Sequence, residues 1–263
     1  FGEEPGRVVF ETNAGDTVTS GAGDDNVAVA GNGVFDGGGG DDTISVLDSA
    51  RVSGGPGDDE IANSGDSYGL QLDGSEGNDT LTAADVSGGE MNGGDGDDVI
   101  NLAQASYDQE PAFLNGGDGD DSFTLDLAVA QSADLGGGVE AGNWQAGIEA
   151  TGGAGADSYT ITFGTPEFQG GDGQSDTDAG PLVNIRDFTP EEDHLVIDLA
   201  GSPDVAEVQS VETQTGADGT SVELVVVFVN TQGQEFQAIV NIGAQDAGTF
   251  DPDEDVTVLM PAA

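Results

Sequence analysis

Seven aspartates recur in this sequence with the same glycine-rich neighbours, and those residue types at that spacing suit the binding of a hard metal cation. The segments are Ser20-Gly-Ala-Gly-Asp-Asp25, Gly37-Gly-Gly-Gly-Asp-Asp42, Gly54-Gly-Pro-Gly-Asp-Asp59, Gly74-Ser-Glu-Gly-Asn-Asp79, Gly93-Gly-Asp-Gly-Asp-Asp98, Gly116-Gly-Asp-Gly-Asp-Asp121 and Gly152-Gly-Ala-Gly-Ala-Asp157. Glycine tolerates φ > 0 and so lets carbonyl oxygens turn toward one point. The terminal aspartate adds a carboxylate. Calcium takes about six to eight such oxygens at roughly 2.3–2.6 Å. The candidate ligands are Asp25, Asp42, Asp59, Asp79, Asp98, Asp121 and Asp157. With them stand the glycines of the second and fourth positions: Gly21, Gly23, Gly38, Gly40, Gly55, Gly57, Gly77, Gly94, Gly96, Gly117, Gly119, Gly153 and Gly155. A single loop cannot supply enough oxygens, but two stacked loops can.

One residue after each aspartate comes an apolar one: Val27, Ile44, Ile61, Leu81, Ile100, Phe123 and Tyr159. The pattern G-G-x-G-x-D-x-U-x resembles the calcium-binding nonapeptide of RTX (repeats-in-toxin) proteins. The resemblance implies a parallel β-roll with each ion held between consecutive loops on one edge. Adjacent intact loops 25/42, 42/59, 59/79, 79/98 and 98/121 then give five sites as a minimum. The fifth-position acids Asp24, Asp41, Asp58, Asp97 and Asp120, and the third-position acids Asp95 and Asp118, are either further ligands or charges that only face solvent.

The elements that position these loops are short strands. Successive aspartates are separated by 17, 17, 20, 19, 23 and 36 residues. A period near two nonapeptides makes each repeat one coil of two strands and two turns. A second apolar set lies two positions before the loops: Val18, Phe35, Val52, Leu72, Met91, Leu114, Ala150 and Phe168. Alternation at period two, as in Val27/Val29, Ile44/Val46, Phe123/Leu125/Leu127 and Tyr159/Ile161/Phe163, marks strands with one face inward. The turn opposite the glycine loop is variable, as at Gly31-Asn-Gly33, Ser64-Gly-Asp66 and Tyr107 to Pro111. The 36-residue interval is read as two periods, with Gly136-Gly-Gly-Val-Glu140 as a decayed loop near its middle. Sites there, and at Gly170-Gly-Asp-Gly-Gln-Ser175 with Asp176 one place late, depart from the pattern. A disordered Gly/Asp linker is the alternative to the roll, but random low complexity does not hold apolar residues at fixed offsets on both sides of seven loops.

The chain has 263 residues, with 52 Asp plus Glu against 3 Lys plus Arg and a formal net charge of -49. The cationic side chains are Arg7, Arg51 and Arg186. Nucleic-acid binding, which needs clustered Lys and Arg, is excluded as an expectation. Membrane insertion is not expected either, since the strongest apolar run, Val222 to Val229, is far shorter than the ~20 residues of a spanning helix. Cysteine is absent, so no disulfide scaffold supports the fold, and metal ions can take that role. Five calcium ions would leave the charge near about -39, a surplus that points to further weak cation sites or to a saline medium. The start, Phe1-Gly2-Glu3-Glu4, has neither the basic nor the apolar stretch of a signal peptide, and Phe1 is read as a processing site or a cut end.

Past Gly180 the repeat stops. Val183-Asn-Ile-Arg-Asp-Phe188 through Leu195-Val-Ile-Asp-Leu199 resembles the segment that follows the repeats in RTX proteins exported by type I secretion. The expected fold is all-β: a calcium β-roll over 1–180 and a small β cap over 181–263 that carries the secretion signal. In the cap, Ala206–Val211 reads as a strand, and Val222–Val229 with Phe236–Ile242 reads as a hairpin. No catalytic motif is visible. His194, among acids, lacks a nucleophile partner and reads as a turn histidine. Trp144 reads as packing. The expectation is a secreted bacterial, non-enzymatic calcium-binding protein with a structural role at the cell surface or in the extracellular matrix. It folds on calcium and self-assembles through β edges into a layer or filament; Arg7–Phe10 reads first as a strand of an ordinary first coil, with pairing to a neighbour's edge as the alternative. The alternative is a calcium-stabilised binding or secretion module of a larger adhesin or exoenzyme.

Overall fold

The computed structural model describes residues 8–102, 111–126, 147–162, 183–200, 205–215, 221–230, 233, 235–243 and 250–260. Trp144, Phe163, Phe168 and the segments at 136–140 and 170–176 lie outside them.

The chain builds two sheets by alternating between them. The first runs β1 (Val8–Thr12), β3 (Asn26–Gly31), β5 (Thr43–Val46), β7 (Glu60–Tyr68), β9 (Thr80–Ser87), β11 (Val99–Leu102), β13 (Ser122–Asp126), β15 (Ser158–Thr162), β17 (His194–Asp198) and β21 (Val256–Leu259). The second runs β18 (Val205–Thr215), β19 (Val222–Asn230), β20 (Glu235–Ile242), β16 (Val183–Ile185), β14 (Ile148–Ala154), β12 (Ala112–Asp118), β10 (Glu90–Asp95), β8 (Gln71–Glu76), β6 (Arg51–Pro56), β4 (Val34–Gly39) and β2 (Thr17–Ala22). All pairings are parallel except β18–β19 and β19–β20. One short helix, α1 (Pro252–Asp255), is capped by the Asp251 side chain.

Register follows the apolar alternation. A one-residue slip would turn every inward side chain to solvent. Hence Val27, Ile44, Ile61, Leu81, Ile100, Phe123, Tyr159, Leu195 and Val256 stack in successive strands of the first sheet. Val18, Phe35, Val52, Leu72, Met91, Leu114, Ala150, Ile185 and Ile242 do so in the second. Between the sheets these two files form a thin continuous core. Aromatic rings pack within it: Phe123 and Tyr159 stack with centroids 4.8 Å apart, and Phe188 and Phe250 meet edge to face at 5.6 Å. Phe123→Ala should cost about 3–5 kcal/mol, measured by denaturant unfolding.

Two features differ from the sequence expectation. β13 pairs directly with β15, and β12 with β14. No strand intervenes, so the 36-residue interval is an insertion and not an extra coil. Lengthening the chain between two strands costs only slowly growing closure entropy. Moreover, the residues after 183 continue both sheets, since β14 pairs with β16 and β15 with β17. The strands at Val205–Thr215, Val222–Asn230 and Glu235–Ile242 then form an antiparallel end to the second sheet.

Candidate metal centre

Each coil carries its glycine loop on the same edge, between a strand of the second sheet and the next strand of the first. Stacking the coils stacks the aspartates. Asp25 N–H donates to Asp42 Oδ1, Asp42 to Asp59, Asp59 to Asp79, Asp79 to Asp98, Asp98 to Asp121 and Asp121 to Asp157, at 2.7–2.9 Å. All of these carboxylates except Asp25 are buried. The sequence-predicted set is thus brought into one file, and Asp121 and Asp157 are neighbours in it.

One oxygen of each carboxylate is therefore used by the backbone. The other is not. Oδ2 of Asp42, Asp59, Asp79, Asp98 and Asp121 is buried and has no hydrogen-bond partner. A buried unpaired polar atom costs about 1–3 kcal/mol, more if charged. These oxygens point into the hollow left by the first-position glycine. A Cβ on Gly37 would stand 2.5 Å from both Asp42 Oδ2 and the Gly54 carbonyl oxygen. On Gly93 it would stand 2.1 Å from Asp98 Oδ2 and 2.7 Å from the Gly116 carbonyl oxygen. At Gly37, Gly74, Gly93 and Gly116 the hollow thus gathers a carboxylate from one coil and a carbonyl from the next.

The second- and fourth-position carbonyls form two more files. A Cβ on Gly55 would meet the Gly38 carbonyl oxygen at 2.0 Å, and one on Gly77 the Gly57 carbonyl oxygen at 2.0 Å. Both glycines have positive φ, 112° and 131°. Ser75, which replaces the second glycine of its loop, holds φ 93°. Among the described residues, no three acidic or histidine side chains converge on one point. A cation in this array would be held mainly by carbonyl oxygens with one or two carboxylates, a hard-oxygen set that fits calcium.

The fifth-position residues make a second, exposed file running the other way. Asp41 N–H donates to Asp24, Asp58 to Asp41, Asn78 to Asp58, Asp97 to Asn78, Asp120 to Asp97 and Ala156 to Asp120. Their carbonyl-like oxygens serve neighbouring backbone groups at the surface. Asp95 and Asp118 are exposed.

Burial raises the sixth-position carboxylates. Asp59, Asp98 and Asp157 are pushed up to about 6, and Asp79 and Asp121 to about 7, by desolvation, with neighbouring carboxylates adding to it. Asp42 moves the same way. The metal-free fold therefore gains from protonation. That gain is complete below the ordinary carboxylate value and is lost as pH rises through 6 to 7. In chelator, β-sheet circular dichroism should be strongest near about pH 4 and fade toward neutrality. Calcium, which needs ionised ligands, should reverse the loss at neutral pH.

Sequence reasoning missed two acids. Asp157 N–H donates to Asp193 Oδ1 at 2.9 Å, extending the file beyond the repeats. Asp187 accepts from Gly152 and Gly153 N–H at 3.0 and 2.9 Å. The signal was available: Asp157 and Asp193 are 36 residues apart, as are Asp121 and Asp157. His194 Nε2 lies 2.9 Å from Thr257 Oγ1 between neighbouring strands. The chain matches no protein-family model, and no curated protein matches it.

Proposed function

We propose that this chain is an extracellular calcium-binding protein of the RTX type that folds on calcium as a β-roll and serves a structural role at a cell surface or in a matrix. The observation that carries the reading is the file of buried carboxylates, five of which keep an unpartnered oxygen, four of these facing a carbonyl of the next coil across a glycine. Where free calcium is scarce, as inside a cell, these acids repel one another and the chain remains unfolded enough for export. Outside, calcium binds the folded state and draws the chain into it by mass action.

Self-assembly through sheet edges extends this reading. The first sheet ends on β1, whose Val8 and Val9 are 52% and 59% exposed, and on β21, whose Leu259 is 43% exposed beside Met260. Parallel end strands with exposed apolar residues favour head-to-tail addition, which yields open filaments. Light scattering and circular dichroism are followed together during a calcium titration, with reversal by EDTA. Particles should appear with the β signal, and Val9→Lys should suppress the particles while sparing the fold. A chain that folds but stays monomeric rules out the polymer and supports the binding-module alternative.

A further inference from the structure

The aspartate file continues one step past the last glycine repeat, and that step has a different floor. In the coils of Gly37, Gly74, Gly93 and Gly116, the first-position hollow is shared by the coil's own aspartate and the carbonyl oxygen of the next coil's first glycine. Beside that pair at Gly37 stands Ile44 Cδ1, 3.2 Å from the Cβ, and at Gly152 the residue two places after the aspartate is a tyrosine, whose hydroxyl takes the place of that methyl group. A Cβ there would stand 1.9 Å from Asp157 Oδ2 and 2.6 Å from the Tyr159 hydroxyl.

We propose that this step binds a calcium ion of its own, with the Tyr159 hydroxyl among its ligands at the place where the Gly37 coil presents an isoleucine methyl. The inference rests on the calcium reading of the repeats. Tyr159 is fully buried, and its hydroxyl has no hydrogen-bond partner. Its ring is stacked on Phe123 and flanked by Phe188 at 6.2 Å, so the oxygen is aimed at the hollow and not free to leave it. Asp187, Asp157, Asp193 and Asp121 all act on this hydroxyl electrostatically. Among the described residues no cationic side chain answers them: Arg186 is paired outside with Glu149. A buried phenol oxygen without a partner, beside a carboxylate, is what remains when the shared cation is left out.

The turn that closes this step imitates a repeat loop without its glycines. Glu191 holds a positive φ, 74°, at the place of the fourth-position glycine, whose φ is 108–144° in the repeats. Thr189 N–H donates to Asp193 Oδ2 at 2.7 Å, and Asp187 caps Gly152 and Gly153. Asp157 Oδ2 and the Tyr159 hydroxyl supply oxygens, with Asp187 and Asp193 adding negative charge. The ion would tie the repeats to the strands that continue both sheets.

Native mass spectrometry of the whole chain, at fixed free calcium, counts the ions. Tyr159→Phe removes one oxygen that makes no hydrogen bond, so the fold should persist in calcium. It should hold one ion fewer than the parent. Asp193→Asn, which keeps an oxygen for Asp157 N–H, should weaken the last ion about tenfold or more. If the parent carries its repeat ions and both variants carry the same number at the same affinity, this inference falls and the array reading stands. If the parent binds no calcium, both fall.

Discussion

Chelating calcium at neutral pH is expected to abolish the β-sheet circular dichroism of this chain, and restoring calcium to recover it over a steep range. The reason lies in the five unpartnered Oδ2 atoms of Asp42, Asp59, Asp79, Asp98 and Asp121. At about 1–3 kcal/mol for each buried unpaired group, their combined cost is comparable with the whole stability of a typical domain, about 5–15 kcal/mol. The core between the sheets is one side chain thick from each face and cannot outweigh that cost with much to spare. On the calcium reading, each ion would lie between two coils and remove the cost at both. Occupancy of one step therefore favours occupancy of the next, and the recovery should be cooperative. A chain that keeps its full β signal after thorough chelation would overturn the metal assignment.

Two neighbouring glycines should respond oppositely to alanine. At Gly38, φ is 101° and a Cβ would stand 1.7 Å from the carbonyl oxygen of Gly21. The left-handed conformation alone costs a non-glycine residue roughly 1–2 kcal/mol. Relief of the clash requires the two coils to move apart, which breaks the carbonyl file at that step. Gly38→Ala should lose on the order of 4 kcal/mol or more and raise the calcium needed for folding. At Gly39 the nearest atom to a Cβ is the Pro56 carbonyl oxygen, at 3.8 Å, and φ is not positive. Gly39→Ala should be neutral or stabilise by about 0.4–1 kcal/mol, through a less disordered unfolded chain. Calcium titrations of the two variants side by side read the difference. Equal midpoints would show that the loops do not stack as described.

What the sequence determined by itself is the all-β class, the parallel stacking and the inward residues. Val27, Ile44, Ile61 and Leu81 sit at one offset from their aspartates, and Phe35, Val52 and Leu72 at another. Strand periodicity leaves a single register that buries both sets, and the structure adopts it. The seven aspartates were legible for the same reason, because a glycine loop that must turn identically in every coil retains its spelling.

The tertiary structure decided which coils are neighbours. A 36-residue interval serves equally well as two coils or as one coil with a long connection, because loop length carries little free energy. Only the pairing of Phe123 with Tyr159, and of Tyr159 with Leu195, resolves it. Those pairings bring Asp121, Asp157 and Asp193 into line, and they set the Tyr159 hydroxyl beside Asp157 Oδ2 at Gly152. Nothing local to Asp193 announces this role. Its loop has Phe188, Thr189 and Glu191 where glycines would stand, and a non-glycine residue at φ 74° is held there by hydrogen bonds from Thr189 and Glu191 to Asp193 and Asp255. Backbone strain supported by distant partners leaves no local spelling, so that end of the file could be seen only once the coils were stacked.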